Sequence, residues 1–293
     1  MTDSIKTPVL AIDGGGTRCR FALKSADRCV VAEAGPANAS TDFSNAVRCL
    51  RNGIDTLARM ADTTADALYG LPAFVGLAGV TGADVADRLA AALPLRNARF
   101  ADDRLAALRG ALGRGDGFLA HCGTGSFFAA QINGAERFAG GWGATLGDEA
   151  SAQWVGRNAL TQLLRQVDGF APASPLLTDL LDQFRDTESV VEFARSAGPS
   201  AFGALAPGVT SHATNGDTVA QAILQAGADH IASDLRQMGW KPGMTVCLAG
   251  GIGPHYAPCL PDEMNTDLIK PQGEPLDGAI ALAQEKDMTH GHC

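Results

Sequence analysis

The chain has 293 residues, enough for one large or two medium domains, and 46% are hydrophobic, so it can build a sizeable core and is not a disordered chain. Lys and Arg number 23 against 32 Asp and Glu, a formal net charge of −9. That argues against a general nucleic-acid or anionic-membrane surface, yet leaves room for a small anion held by backbone amides.

In chain order, Val9 to Ile12 is an apolar run that ends in Asp13-Gly-Gly-Gly16, and Arg18 to Leu23 alternates in strand fashion, giving strand, tight turn, strand. Val30 to Ala32 offers a third strand. Ser44 to Met60 carries Val47, Leu50, Ile54 and Leu57 at helical spacing. A buried strand follows at Ala73–Ala78, then a helix over Val85–Leu93, a strand at Arg99–Ala101 and a helix over Leu105–Leu112. The pattern then restarts: Phe118–Cys122 is a strand, Gly123-Thr-Gly-Ser126 a turn, and Phe127–Ile132 a strand before the hairpin signal Asn133-Gly134. A strand–glycine turn–strand unit that occurs twice implies two similar α/β lobes. Asp148–Val167 and Asp217–Met238 read as long helices, with a Pro- and Asp-rich connection and one short helical piece at 168–187. Met244–Ala249 is a strand running into Gly250-Gly251, and Leu276–Gln284 a closing helix.

No apolar run approaches the ~20 residues of a membrane helix. The first residues lack an apolar signal region, and the seven cysteines are odd in number with no CxxC pair. The expectation is a soluble cytoplasmic protein with neither a disulfide framework nor a zinc site. The tail Thr289-His-Gly-His-Cys293 reads as a frayed terminus.

Three strand ends run into glycine: at Gly14, Gly15 and Gly16 before Thr17, at Gly123, Thr124, Gly125 and Ser126, and at Gly250 and Gly251. Such turns can bring backbone amides and hydroxyls around phosphate oxygens, although each alone could be a plain hairpin. Neither GxxxxGK[ST] nor a GxGxxG that opens a helix is present, so any phosphate is held by hairpins and hydroxyls. Asp13 beside the first turn suits magnesium, directly or through water. Asp103 suits a base that positions a hydroxyl nucleophile, with a helix cap as the plainer reading for it or for Asp102. The segment Gly140 to Ser151 sets Gly141, Trp142 and Asp148 together. A carboxylate beside an aromatic ring and exposed amides suits sugar hydroxyls, whereas Asp148 could also simply cap the helix.

These residues, taken in order, carry a resemblance. Asp13-Gly-Gly-Gly-Thr17, Gly123-Thr-Gly-Ser126, Gly140-Gly-Trp-Gly143 with Leu146-Gly-Asp-Glu149, and Leu248-Ala-Gly-Gly251 are similar to those of the N-acetylglucosamine kinase and glucosamine kinase branch of the BadF/BadG/BcrA/BcrD ATPase family, within the sugar kinase, Hsp70 and actin superfamily. The resemblance spans residue 9 to about 284. It implies two ribonuclease H-like α/β lobes with a cleft between them: an N-terminal lobe over 1–112, with the closing helix 276–293 packed back on it, and a C-terminal lobe over 113–275. It implies ATP and Mg²⁺ as cofactors and a cytoplasmic homodimer acting on a small amino sugar, with no nucleic-acid or membrane partner. The implied roles are Asp103 as base, Asp13 as metal-associated acid, and Gly14, Gly15, Gly16, Thr17, Gly123, Thr124, Gly125 and Ser126 on the phosphates. Gly250 and Gly251 fall at the adenosine, and Asn38, Asp148, Gly141 and Trp142 at the sugar. The base is usually preceded by Asn in that branch, and here by Asp102; Ala150 and Ala152 stand where glycine or serine-glycine pairs are common. The implied reaction is phosphorylation of the 6-hydroxyl of glucosamine or N-acetylglucosamine. Two other functions stay open: an ATP-driven reductase activator with a cysteine-held iron–sulfur cluster, and a non-catalytic sugar or nucleotide sensor.

Overall fold

The structure, a computed structural model, describes residues 7–285, so the His/Cys tail and the last residues of the expected closing helix lie outside the described residues. The chain forms two compact units: one runs to Arg114 and resumes at Pro271, the other is Gly115–Lys270.

The first unit opens with β1 (Val9–Gly14), β2 (Cys19–Lys24) and β3 (Cys29–Ala34), an antiparallel meander. Helices α1 (Phe43–Met60) and α2 (Ala65–Tyr69) lead to β4 (Pro72–Leu77), and α3 (Ala83–Ala92) to β5 (Asn97–Ala101), which runs into α4 (Asp103–Leu112). β4 and β5 add in parallel, so the sheet order is β3-β2-β1-β4-β5. Residues of one face, among them Leu10, Ile12, Phe21 and Val75, form a core with Leu50, Ile54 and Leu57 of α1. This is the helical stripe that the spacing predicts.

The second unit repeats the plan. β6 (Gly117–Cys122), β7 (Ser126–Ile132) and β8 (Ala135–Gly140) form the meander. A helical layer follows: α5 (Ala152–Val167), α6 (Pro175–Phe184), α7 (Thr187–Ser196), α8 (Pro199–Gly203), α9 (Ala206–Thr214) and α10 (Thr218–Gln237). β9 (Val246–Ala249), a 3₁₀ turn over Gly253–Cys259, α11 (Asp262–Thr266) and β10 (Leu268–Ile269) complete it in the order β10-β9-β6-β7-β8. Strand for strand the two sheets match, so the duplication read from the glycine turns is present. Finally α12 (Pro275–Ala283) returns to the first unit and packs on α4, β1 and β4. The helices meet at backbone distance: a Cβ on Gly278 would collide with the Ala106 carbonyl, and one on Gly110 with that of Glu274.

The structure corrects one helix. The long helix expected from Asp148 starts only at Ala152, and Ser151 is its cap, its Oγ accepting the Trp154 N–H at 3.2 Å. Asp148 and Ala150 have positive φ, 61° and 62°, which a helix cannot contain.

Candidate active site

In the first unit the candidate residues gather where β1, β4 and β5 end side by side, the place where open α/β sheets hold ligands. The register sets Asp13 opposite Arg20 across the hairpin and opposite Gly76 of β4. Arg20 donates to Asp13 Oδ2 from Nη2 at 2.9 Å and from Nε at 3.2 Å, and its Nη1 lies 3.6 Å from Glu274. Burial nevertheless wins over the guanidinium and raises the Asp13 carboxyl. The Gly15 carbonyl accepts the Ala37 N–H at 3.1 Å, which ties the first glycine turn to the loop that carries Asn38. Asn38 Oδ1 already accepts from Ser40 N, Ser40 Oγ and Thr41 N, so any further bond of its amide would be donated through Nδ2. Gly16 and Thr17 are exposed, and a Cβ on Gly16 would touch nothing.

Of the adjacent Asp102 and Asp103, the first caps α4, its Oδ1 accepting the Arg104 N–H at 2.9 Å. Asp103 opens the helix, its Cα 3.4 Å from where a Gly76 Cβ would stand. Burial drives the Asp103 carboxyl well above the ordinary carboxylate range, and the charge and hydrogen bond of Asp102 and the field of Asp13 push the same way against Arg104. A base with a raised pKa takes a proton from a hydroxyl more readily.

In the second unit, Asp148 joins the second glycine turn to the Gly-Trp-Gly loop. Its Oδ1 accepts the Gly143 N–H at 3.1 Å, and it also accepts the backbone N–H of Ser126. Burial raises its pKa and these donors oppose the rise. Its Oδ2 lies 2.7 Å from where a Gly125 Cβ would stand, so glycine there makes room for the carboxylate. Around it Ser126 Oγ donates to Glu149 O at 2.6 Å, Ser151 Oγ to Asp148 O at 2.6 Å and Tyr256 Oη to Ala150 O at 2.8 Å. The hydroxyl that the sequence assigns to phosphate at Ser126 is thus engaged with Glu149. Gly123 accepts the Ala152 N–H at 2.8 Å, which fixes the start of α5 on the turn. Gly141 and Gly143 have φ of 75° and 86° and carry Trp142, 76% exposed, between them. Gly250 packs against the Cys122 carbonyl, where a Cβ would collide; Gly251 is exposed, with open space at its Cβ position.

Sequence reading missed Arg20, Arg104 and Tyr256, whose partners are set by strand register or lie far along the chain. It also missed His121. The His121 ring stacks on Phe127 with centroids 5.0 Å apart, its Nδ1 is sealed without a partner, and burial lowers its pKa to about 4.

Among the described residues no group of three or more His, Cys, Asp and Glu gathers into a full metal cage. A single carboxylate such as Asp13 would suit magnesium, which keeps waters and is commonly held by one or two carboxylates plus substrate phosphates. Nor is any described helix long and apolar enough to cross a membrane.

The chain has clear relatives. Glucosamine kinase GspK of Vibrio cholerae is 27% identical over 278 residues, 94% of this chain and 95% of that one. An N-acetylmuramic acid/N-acetylglucosamine kinase of Clostridium acetobutylicum is 24% identical over 236 residues, 75% of each chain. The crystal structure of a Chromobacterium violaceum protein provisionally named N-acetylglucosamine kinase matches with a TM-score of 0.84 at 29% identity, covering 95% of this chain and 99% of that one. A family model spans residues 10–279, taking in the three glycine turns, both acidic positions of the first unit and the strained loop before α5: the chain belongs to the BadF/BadG/BcrA/BcrD ATPase family.

Proposed function

We propose that the protein is an ATP-dependent amino-sugar kinase that phosphorylates the 6-hydroxyl of glucosamine or N-acetylglucosamine. The observation that carries this reading is the segment 148–151. Two non-glycine residues sit there in left-handed backbone, held by hydrogen bonds from Ser126, Ser151 and Tyr256, and they present one buried carboxylate beside a glycine turn. Strain of this kind costs of order 1–3 kcal/mol per residue and persists where a site needs the geometry. The names of the relatives, both sugar kinases, support the same class.

In this reading Asp148 accepts sugar hydroxyls, Asn38 donates to a sugar oxygen, and Gly141 and Trp142 flank the ring. Asp103 accepts the proton of the attacking hydroxyl. The turns at Gly14–Thr17 and Gly123–Ser126 offer amides and the Thr17 and Thr124 hydroxyls to phosphate oxygens, and Gly250 and Gly251 lie at the adenosine. Asp13 would hold Mg²⁺, which would neutralise phosphate charge. A reductase activator is disfavoured because Cys122, the cysteine next to the second turn, is fully buried with its thiol pushed up to about 12, unsuited to a shared cluster.

The test is a coupled ADP-release assay with ATP, Mg²⁺ and a panel of glucosamine, N-acetylglucosamine and neutral hexoses, with the phosphate position of the product read by NMR. Amino sugars should accelerate ADP release, and the product should carry phosphate on O6. Sugar binding without any release would point to the sensor, and a phosphate on another oxygen would remove the 6-hydroxyl assignment.

A further inference from the structure

Asp102 and Asp103 are neighbours in sequence, yet the structure treats their carboxylates in opposite ways. Asp102 is saturated by one residue: Arg104 gives Oδ1 its backbone N–H at 2.9 Å and its Nε at 2.8 Å, and gives Oδ2 its Nη2 at 2.9 Å. The side chain is therefore folded back over the first turn of α4 by a bidentate guanidinium, the geometry that holds a carboxylate most firmly. Among the described residues no guanidinium forks onto Asp103 in this way. The charges that bear on it are Asp102 and Arg104 on its own helix and Asp13 from β1. Arg20 of β2, Arg18 in the turn before it and Glu274 at the start of α12 bear on Asp13, Asp277 of α12 is tied to the Glu274 N–H, and β4, Pro-Ala-Phe-Val-Gly-Leu, brings no charge.

Two carboxylates in contact tend to share one proton and titrate as a pair. A base is less effective when its neighbour competes for the proton that it must take. We propose that Arg104, acting through Asp102, is a positioning residue for the Asp103 base: its fork holds the Asp102 side chain back over the first turn of its helix, so that Asp103 is the carboxylate that exchanges a proton with the sugar hydroxyl. The inference rests on the kinase reading above. In the transfer step the hydroxyl proton passes to Asp103 as the oxygen bonds to the γ-phosphorus and ADP leaves.

The consequence is a pH profile. Asp103 must be ionised to act, so kcat rises with pH along an acid limb set by its pKa. Arg104 lowers that limb and Asp102 raises it. Arg104→Ala should move the limb up by about one pH unit, a roughly tenfold loss of kcat at a pH on the limb. The loss should largely recover in alkali, with KM for sugar and ATP little changed. Arg104→Lys should recover part of the shift, because an ammonium keeps the charge without the fork. Asp102→Asn, which keeps the cap acceptor, should move the limb down, and adding it to Arg104→Ala should return the limb to the parent position or below. If Arg104→Ala does not melt cooperatively, the Arg104→Lys and Asp102→Asn profiles decide, since their shifts have opposite signs. Profiles that overlay the parent in these variants, with Asp103→Asn inactive, overturn this inference and leave the kinase reading standing. An active Asp103→Asn overturns the assignment of the base itself.

Discussion

Replacing Asp148 by Asn separates sugar recognition from architecture. The amide keeps one oxygen for the Gly143 N–H, bonded at 3.1 Å, but loses the charge and the second acceptor that serves Ser126 N. Asn also tolerates the φ of 61° that Ala would resist. Exchanging charge-assisted bonds worth ~1.5–3 kcal/mol for neutral ones near ~1 should cost roughly 1–2 kcal/mol of stability. At about 2–4 °C per kcal/mol, Tm falls by several degrees. If the carboxylate also accepts two sugar hydroxyls, the loss on the sugar side is at least ~1.5 kcal/mol, so Kd for the sugar rises more than tenfold while Kd for ATP barely moves. Asp148→Ala is the harsher control: it strands two backbone N–H groups at ~1–3 kcal/mol each and should melt far lower. Calorimetric titrations of glucosamine and of a non-hydrolysable ATP analogue, beside thermal melts, read both effects. An Asn variant that melts lower but binds sugar like the parent would refute the reasoning and make the loop an architectural clamp.

Other outcomes follow from single environments. Asp103→Asn should cut kcat by ~10²–10⁴ and at the same time raise Tm. Its carboxyl is raised in the fold, so ionisation costs stability as pH climbs through the folded pKa; the gain in Tm should be largest in mild alkali and fade towards pH ~4, and a variant no more stable at any pH would contradict the burial. His121→Phe keeps the stack on Phe127 and removes an unpartnered Nδ1, so it should melt no lower than the parent at neutral pH. The His121 pKa is depressed from 6.5 to about 4, so the parent loses stability as pH falls through that window; melts across it should show a flatter slope in the variant. Ala150→Gly should melt near the parent, because relief of the left-handed φ offsets added chain entropy. Ala150→Val should lose several degrees, and equal melts would show that the conformation carries no strain.

Much of the fold is legible because apolar strands end in glycine. The runs at Val9, Ala73, Phe118 and Val246 are buried strands, and the two hairpins take the same place in sheets of the same order. The helices α7 to α9 are not legible: they are short, broken by Pro199 and Pro207, and packed as a layer rather than marked by a long stripe. The start of α5 misleads because Asp148-Glu-Ala-Ser reads as a cap and a first turn, whereas tertiary hydrogen bonds from Ser126 and Tyr256 impose left-handed backbone on it. Asp13 is visible as an acid at a strand end; its pairing with Arg20 depends on hairpin register, which no local pattern declares.

The two sheets share a strand order but not a chemistry at matching places. β1 ends near Asp13, and its counterpart β6 ends in Cys122, whose thiol stays protonated. β5 leads into Asp102 and Asp103; its counterpart β10 is two residues long and followed by Lys270. In the proposed reading the base and the metal-associated acid would both belong to the first copy, while the second holds the glycine turn and one carboxylate bound to two backbone donors. Phosphoryl transfer favours that division. A bare carboxylate 4 Å from a phosphate oxygen costs ~4 kcal/mol even at an effective dielectric of 20. Neutral dipoles can surround phosphate without that cost, and the acids are best kept where a cation or a departing proton compensates them. The duplicated sheet supplies two similar frames, and on the kinase reading the differing residues at their ends would make one the acid–base unit and the other a neutral cradle beside the Asp148 carboxylate.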